Sequence, residues 1–454
     1  MKALRGRMAF GLLGMLTVAG LMLARGATAK PNKGGPPPMS LYRQVNLVSD
    51  ISGVGELTDP NLVNPWGLAI VPSSGRLWVS DNGSGLSTVY DPDGTPLSLV
   101  VTVAPPSGST NPAAPTGLIG NDTSAFAITE GTNSAPSFFI WSTEDGTVSG
   151  WNPKVDPTNS VLLIDHSASN AVYKGIARAT DGSSNEFIFV TNFRDGVVEK
   201  YDASLNLVSS FTDGTLPAGY APFGIENIGG KLFVTFAIQN AAKHDDVAGP
   251  GNGFVDVFDL DGNRLQQFAA NGTLNSPWGL AVAPHGFGEF SGAVLVGNFG
   301  DGRINAFAPG TGAFLGQLTD VRGNVIAIDS LWALKFIALP ARIRHRRQLQ
   351  PRRMLLMIAH HPPQVLLVAM PPRPVLRPRK LLGRILVPDL HVVDPARHAR
   401  VIHRLHLVVG ELRIIDQPPV ANGAIQHPQL RPIRDPRRFI SHSVNPLQKL
   451  EAPS

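Results

Sequence analysis

The chain has no cysteine in its 454 residues, so no disulfide staples it and stability must come from burial in a large core. Other absences narrow the chemistry. Gly249-Pro250-Gly251-Asn252-Gly253 lacks the Gly-Lys-Ser/Thr ending of a phosphate loop and no helix follows it. No serine stands in a nucleophile-elbow pattern. Asp91-x-Asp93-Gly94 and Asp259-x-Asp261-Gly262 begin like calcium loops, but Thr102 and Ala270 occupy the closing Glu position, so both read as hairpin turns. His166 and His285 are isolated and read as surface residues.

What is present is a repeat. Asn64-Pro65-Trp66-Gly67-Leu68-Ala69-Ile70 returns as Ser276-Pro277-Trp278-Gly279-Leu280-Ala281-Val282. Weaker copies are Ser124-Ala125-Phe126-Ala127-Ile128, Tyr173-Lys174-Gly175-Ile176-Ala177, Ala221-Pro222-Phe223-Gly224-Ile225 and Ser330-Leu331-Trp332-Ala333-Leu334. Anchored on the Gly or Ala, the copies fall at 67, 127, 175, 224, 279 and 333. Each start is followed by an apolar run such as Phe187-Ile188-Phe189-Val190-Thr191, then a polar turn and an alternating strand such as Gly253-Phe254-Val255-Asp256-Val257-Phe258. Short aromatic and β-branched runs between Gly, Asn, Asp and Pro read as strands. Four strands at this period are the mark of a β-propeller blade. The expected fold is all-β: a six-bladed β-propeller over residues 41–336, with five complete blades and the start of a sixth.

The flanks differ from the repeats. Residues 1–29 carry Lys2, Arg5 and Arg7, an apolar stretch from Met8 to Leu23, and Ala27-Thr28-Ala29, which reads as a signal peptide. Export to the periplasm, cell surface or outside is therefore expected, with no transmembrane span left after cleavage. Residues 30–40 are a Pro/Gly-rich flexible leader, and Leu41 to Ile51 reads as a strand that clasps blade six.

After Phe336 the composition breaks. Residues 30–336 hold 15 Lys plus Arg against 28 Asp plus Glu, a net of −13; residues 337–454 hold 20 against 6, a net of +14. This basic tail has no Trp or Tyr, one Phe (Phe439), 9 of the 12 His and 3 of the 47 Gly. Three readings compete: a nucleic-acid arm, a disordered extension, and translation in a shifted frame of GC-rich DNA. The break in mid-motif favours the frameshift, disorder comes second, and nucleic acid is the least favoured partner.

Leu57-Thr58-Asp59-Pro60-Asn61-Leu62-Val63-Asn64-Pro65-Trp66-Gly67, Lys243-His244-Asp245-Asp246-Val247-Ala248-Gly249 and Gly297-Asn298-Phe299-Gly300-Asp301-Gly302-Arg303 closely resemble motifs of an uncharacterised family of exported bacterial β-propeller proteins. Some of its members end in a surface-sorting segment. The resemblance covers residues 41–336, with a more distant likeness to NHL and gluconolactonase-type propellers. It implies a fold and export, and brings no agreed activity.

One face of the ring would gather the second-to-third turns: Asp81, Asn82, Glu144, Asp145, Asn192, Asp195, His244, Asp245, Asp246, Asn298 and Asp301. Such oxygens can ligate a hard cation or hydrogen-bond a sugar or lactone. They are also what tight turns require, and that ordinary role is the competing reading. The loop Gln239 to Asn252 is longer than a turn needs and holds the His244-Asp245-Asp246 cluster. Glu226 follows an inner-strand motif and is expected to face the central channel.

The expected function is a binding module whose ligand is a small molecule, glycan or envelope protein, with no cofactor demanded. The alternative is a metal-dependent lactonase or sugar-ester hydrolase, with calcium or zinc on Asp245, Asp246, Asn192 and Asn298, and with Glu226, His244 and Asp245 as catalytic candidates. A structural envelope or matrix component is the third class, and propellers host all three.

Overall fold

The computed structural model describes residues 41–338 and two further strands, Met354–His360 and Val365–Met370. The expected signal peptide, the leader and the rest of the basic tail lie outside the described residues. Among the described residues there is no α-helix, only strands and two short 3-10 turns.

Five four-stranded antiparallel sheets follow one another along the chain as blades of a β-propeller. Their inner strands are Pro65–Ile70, Pro115–Gly120, Tyr173–Thr180, Tyr220–Ile228 and Pro277–Val282. Each packs against the next, and Leu331–Ala338 lies against both the fifth and the first, which closes the circle of inner strands. The second strands alternate with period two. In Leu77–Asp81, Trp78 packs toward Trp141 and Trp151 of the second blade, while Leu77 and Val79 join Trp332 and Ile337 on the opposite side. Each blade thus offers one apolar face to each neighbour, which is why the strands read as nearly unbroken apolar runs.

The anchor glycines mark where inner strands meet. At Gly224 a Cβ would run into the carbonyl oxygen of Trp278, and at Gly67 into that of Thr116. Only a residue without a Cβ permits this approach. The register slips there too, between Pro65 and Leu68, Pro222 and Ile225, and Pro277 and Gly279. The freed backbone groups are satisfied by hydroxyls of the second strand. Gly175 N–H donates to Thr191 Oγ1 at 2.7 Å, and Gly224 N–H to Thr235 Oγ1 at 2.8 Å.

The second repeat begins earlier than the sequence reading placed it. Its inner strand is built on Pro115-Thr116-Gly117, and Ala127–Glu130 instead pairs with Asn133–Pro136 in a separate hairpin. The Phe-Ala pattern misled because Phe126 is fully buried without belonging to an inner strand.

The sixth sheet also differs from expectation. Leu331–Ala338 pairs with Met354–His360, which pairs with Val365–Met370, which pairs with Leu41–Ser49. The N-terminal strand does join this sheet, but through a strand from beyond residue 336, where the sequence reading ended the propeller. Tyr42 fixes the clasp: its ring stacks on Phe287 at 4.8 Å and its hydroxyl donates to the Phe287 carbonyl at 2.9 Å.

Candidate functional site

The residues just before the anchors Gly67, Gly117, Gly175, Gly224, Gly279 and Ala333 share one register position of the inner strands: Trp66, Thr116, Lys174, Phe223, Trp278 and Trp332. The aromatic members close the channel. Trp66 stacks on Trp332 at 3.5 Å, Trp278 meets Trp332 edge-on at 5.7 Å, and Phe299 lies 4.1 Å from Trp332. Beyond this layer the channel narrows to a cavity of about 30 Å³ lined by glycines, Leu and Ile, with Glu226 and Lys335.

Lys174 sits at the rim of this aromatic layer with its side chain only 2% exposed. Its ammonium lies 5.1 Å from the Trp66 ring centre and ion-pairs with Glu144 and, at 3.7 Å, with Asp245. A buried ammonium needs such partners, because desolvation costs it several kcal/mol. The pairing extends in both directions. Asn82 donates to Glu144 Oε2 at 2.9 Å, Asn64 donates to Asn82 at 2.9 Å, and the Trp66 indole N–H donates to Asn64 at 3.1 Å. On the other side His244 Nδ1 donates to Asp245 Oδ1 at 2.9 Å. The network runs from the first blade to the fourth.

The long loop reaches across to make this contact. Gln239 donates to the carbonyls of Phe193 and Arg194 in the third blade, and Gly249 N–H donates to Asn275 Oδ1 at 2.7 Å toward the fifth. His244 and Asp245 are thereby held over Lys174.

The carboxyls of the mouth are electrically uneven. Burial works to raise Asp245, but the His244 hydrogen bond and the charges of Lys174 and His244 hold it below the usual carboxylate range. Burial pushes Asp246 up, against the opposing effects of Ser276 and Lys174. Burial, with help from the Glu144 charge, also raises Asp145, whose Oδ2 accepts from Ala114 N–H at 2.7 Å.

Ligand atoms of Glu144, His244 and Asp245 lie within 4.8 Å of one another, so this trio can bracket a metal ion. Two of the three, however, already hold the Lys174 ammonium. A dication there would meet a positive charge at about 4 Å, which costs about 4 kcal/mol per unit of charge near a protein surface. The donor set fits a metal poorly while Lys174 stays in place.

The remaining sequence candidates are dispersed. Asn192 is buried and donates to Asp195 at 2.9 Å and Glu199 at 2.8 Å. Asn298 is buried and donates to Thr273 O at 2.8 Å and Asp301 at 2.9 Å. Both serve their own blades' turns. Asp81 is fully buried, which raises its carboxyl well above the usual range. Glu226 does reach the channel, but it pairs with Lys335 at 2.6 Å, both two residues past an anchor position, whereas Lys174 sits one residue before its anchor Gly175. Glu226 and the His244-Asp245 pair therefore occupy different levels of the ring. His166 is half-exposed and not isolated: its Nδ1 lies 2.7 Å from the Tyr173 hydroxyl.

Lys174 was missed. Its signal was available, since the third copy of the repeat carries Lys where the copies at 66, 223, 278 and 332 carry Trp or Phe.

No family model matches the chain. An uncharacterized protein of Acanthamoeba polyphaga mimivirus is 34% identical over 297 residues, which cover 63% of this chain and 72% of that protein. The chain belongs to the same family. A second mimivirus member is 33% identical over 298 residues, 63% of this chain and 77% of that protein. These family members are viral, whereas the resemblance read from the sequence was to bacterial proteins. Among solved structures, the chain is similar to a catalytically inactive virginiamycin B lyase from Staphylococcus aureus, with 10% identity, 73% of this chain and 99% of that one covered, and a TM-score of 0.42. A Bacteroides thetaiotaomicron protein of unknown function gives 9%, 73% and 76%, with a TM-score of 0.46. Likeness at this level extends to neither ligand nor activity.

Proposed function

We propose that this family member is a binding module that takes its ligand at the channel mouth, over Lys174, Glu144, His244 and Asp245. The observation that carries the reading is the buried Lys174 ammonium, held by carboxylates of two other blades under an over-long loop. Loops on a rigid scaffold that converge polar groups on one point are the usual place for ligand recognition. We read the ring as six-bladed, with the sixth blade closed by Leu41–Ser49, and the chain as exported through residues 1–29. The cut in composition after Phe336 supports a shifted reading frame for the tail, whereas the pairing of Met354–His360 and Val365–Met370 into the sixth sheet supports native strands there.

The metal-dependent hydrolase is the weaker reading, because Lys174 takes the position a metal would need and Glu226 is neutralised by Lys335. A screen of sugars, lactones and amines against the full chain, read by thermal shift, separates the two. Ligands that stabilise the wild type, lose effect in Asp245→Asn and undergo no turnover support the module. Ester or lactone hydrolysis that depends on calcium or zinc and is abolished by Glu226→Ala would overturn it, as would a screen in which Asp245→Asn behaves like the wild type.

A further inference from the structure

We propose that Asn271 is a site of spontaneous covalent modification, deamidating through its peptide bond to Gly272, and that this change loosens the long loop over the channel mouth. The chemistry is intramolecular. The Gly272 backbone nitrogen, deprotonated by water or hydroxide, attacks Cγ of Asn271; the bond from Cγ to the side-chain nitrogen breaks, and ammonia leaves behind a five-membered succinimide. Water then opens either carbonyl. One opening gives aspartate, and the other gives isoaspartate, in which the main chain runs through Cβ and Cγ and is one methylene longer. The net exchange is water for ammonia. Glycine makes the nitrogen reachable, because it has no side chain to shield the peptide or to restrict its rotation.

Three Asn-Gly pairs lie among the described residues: Asn82-Gly83, Asn252-Gly253 and Asn271-Gly272. The fold treats them differently. Asn82 Oδ1 accepts from Asn64 at 2.9 Å, its Nδ2 donates to Glu144 at 2.9 Å, and the Gly83 N–H donates to Val63 O at 3.0 Å. Asn252 Nδ2 donates to Val247 O at 3.1 Å, and the Gly253 N–H donates to Gly251 O at 3.0 Å. In both pairs the amide and the attacking nitrogen are engaged. At the third pair neither is: the Asn271 side chain is exposed and hydrogen-bonded to nothing among the described residues, and the Gly272 N–H has no acceptor there. Both residues have left-handed backbones, with φ of 51° and 56°, as at an exposed turn tip.

The same turn is a strut for the loop. Asn271 N–H donates to Gly253 O, Leu274 N–H to Asn271 O and Gly251 N–H to Leu274 O, each at 2.9 Å, while Asn275 Oδ1 holds the Gly249 N–H at 2.7 Å. These bonds fix the C-terminal end of the loop that carries His244 and Asp245 to Lys174. A methylene inserted at 271 falls between the first two of them and displaces the others, so the loop opens more readily.

The full chain is aged at mildly alkaline pH, digested and mapped by mass spectrometry, beside a sample aged in urea. In the folded chain Asn271 is expected to convert to mixed isoaspartate and aspartate about tenfold faster than Asn82 or Asn252, which must first break two or three hydrogen bonds. In urea the three sites should react alike. Trypsin reads the coupling at Lys243, an exposed residue of the loop. Cleavage there should rise severalfold in the aged wild type and stay constant in aged Asn271→Gly, which tolerates the positive φ and has no amide. The proposal falls if folded Asn82 or Asn252 reacts as fast as Asn271, if Asn271 keeps its amide in the folded chain but loses it in urea, or if the product is aspartate alone, the mark of direct hydrolysis. Lys243 cleavage that does not change with age would overturn the link to the mouth. Should Asn271→Gly fail to fold, fresh and aged wild type decide.

Discussion

Lys174 and Glu144, thirty residues apart in sequence and on different blades, form an ion pair in which both side chains are largely withdrawn from water, at 2% and 13% exposure. Removing Lys174 leaves Glu144 a largely buried carboxylate with no cation beside it, whereas Lys174 without Glu144 keeps only Asp245 at 3.7 Å. Lys174→Met is expected to destabilise the chain by about 3–5 kcal/mol, while the double variant Lys174→Met/Glu144→Gln recovers much of that loss. Urea unfolding with a constant slope checks this, and additive losses would mean that the two residues do not act as a pair.

Lys174 also decides what the mouth does with metals. Zinc or calcium is expected to leave the melting temperature of the wild type unchanged. In Lys174→Met, where Glu144, His244 and Asp245 lose their fixed cation, zinc should raise it, since a ligand bound only to the folded state stabilises by mass action. Stabilisation of the wild type by metal would show that the ammonium gives way.

Gly224 tests the ring itself. Gly224→Ala drives a methyl group into the Trp278 carbonyl and is expected to cost about 1–3 kcal/mol, as overpacking does. Gly214→Ala meets nothing within 4 Å and should be near neutral. Equal effects in thermal unfolding would refute the close approach of the inner strands.

Asp256 gives a pH signature. It is fully buried, and burial, with Asp213 beside it, pushes its carboxyl up to about 7. Arg264 lies 2.9 Å from Asp213 and 3.7 Å from Asp256. In the unfolded chain the same group titrates near the ordinary value of about 3.9. Between those values the folded state binds more protons, so stability should fall as pH rises from about 4 to about 7 and level off above. Asp213, held below the usual range, contributes in the opposite sense only at lower pH. Asp256→Asn should flatten the slope in chemical denaturation at pH 4.5, 6 and 7.5.

The coding DNA across codon 336 tests the tail. A different frame is expected to continue with an aromatic strand, an Asn/Asp-Gly turn and a closing strand. If no frame does, Met354–His360 and Val365–Met370 are the blade's own strands and the basic tail is native.

The sequence by itself determined the repeat, the all-β class and the rough limits of the blades. Those features are local: an apolar run between turn residues makes a strand wherever it lies, and the Trp-Gly motif recurs because each inner strand must pass its neighbour at the same height. It misplaced the second inner strand, since Phe126 has the composition of that motif without its Gly. Tertiary structure alone decided which charges meet. Glu226 is answered by Lys335, 109 residues on, and Asp245 reaches Lys174 only because a loop of the fourth blade crosses to the third. Turn composition marks a residue as polar and exposed to choice, but ring closure sets which of its neighbours carries the opposite charge.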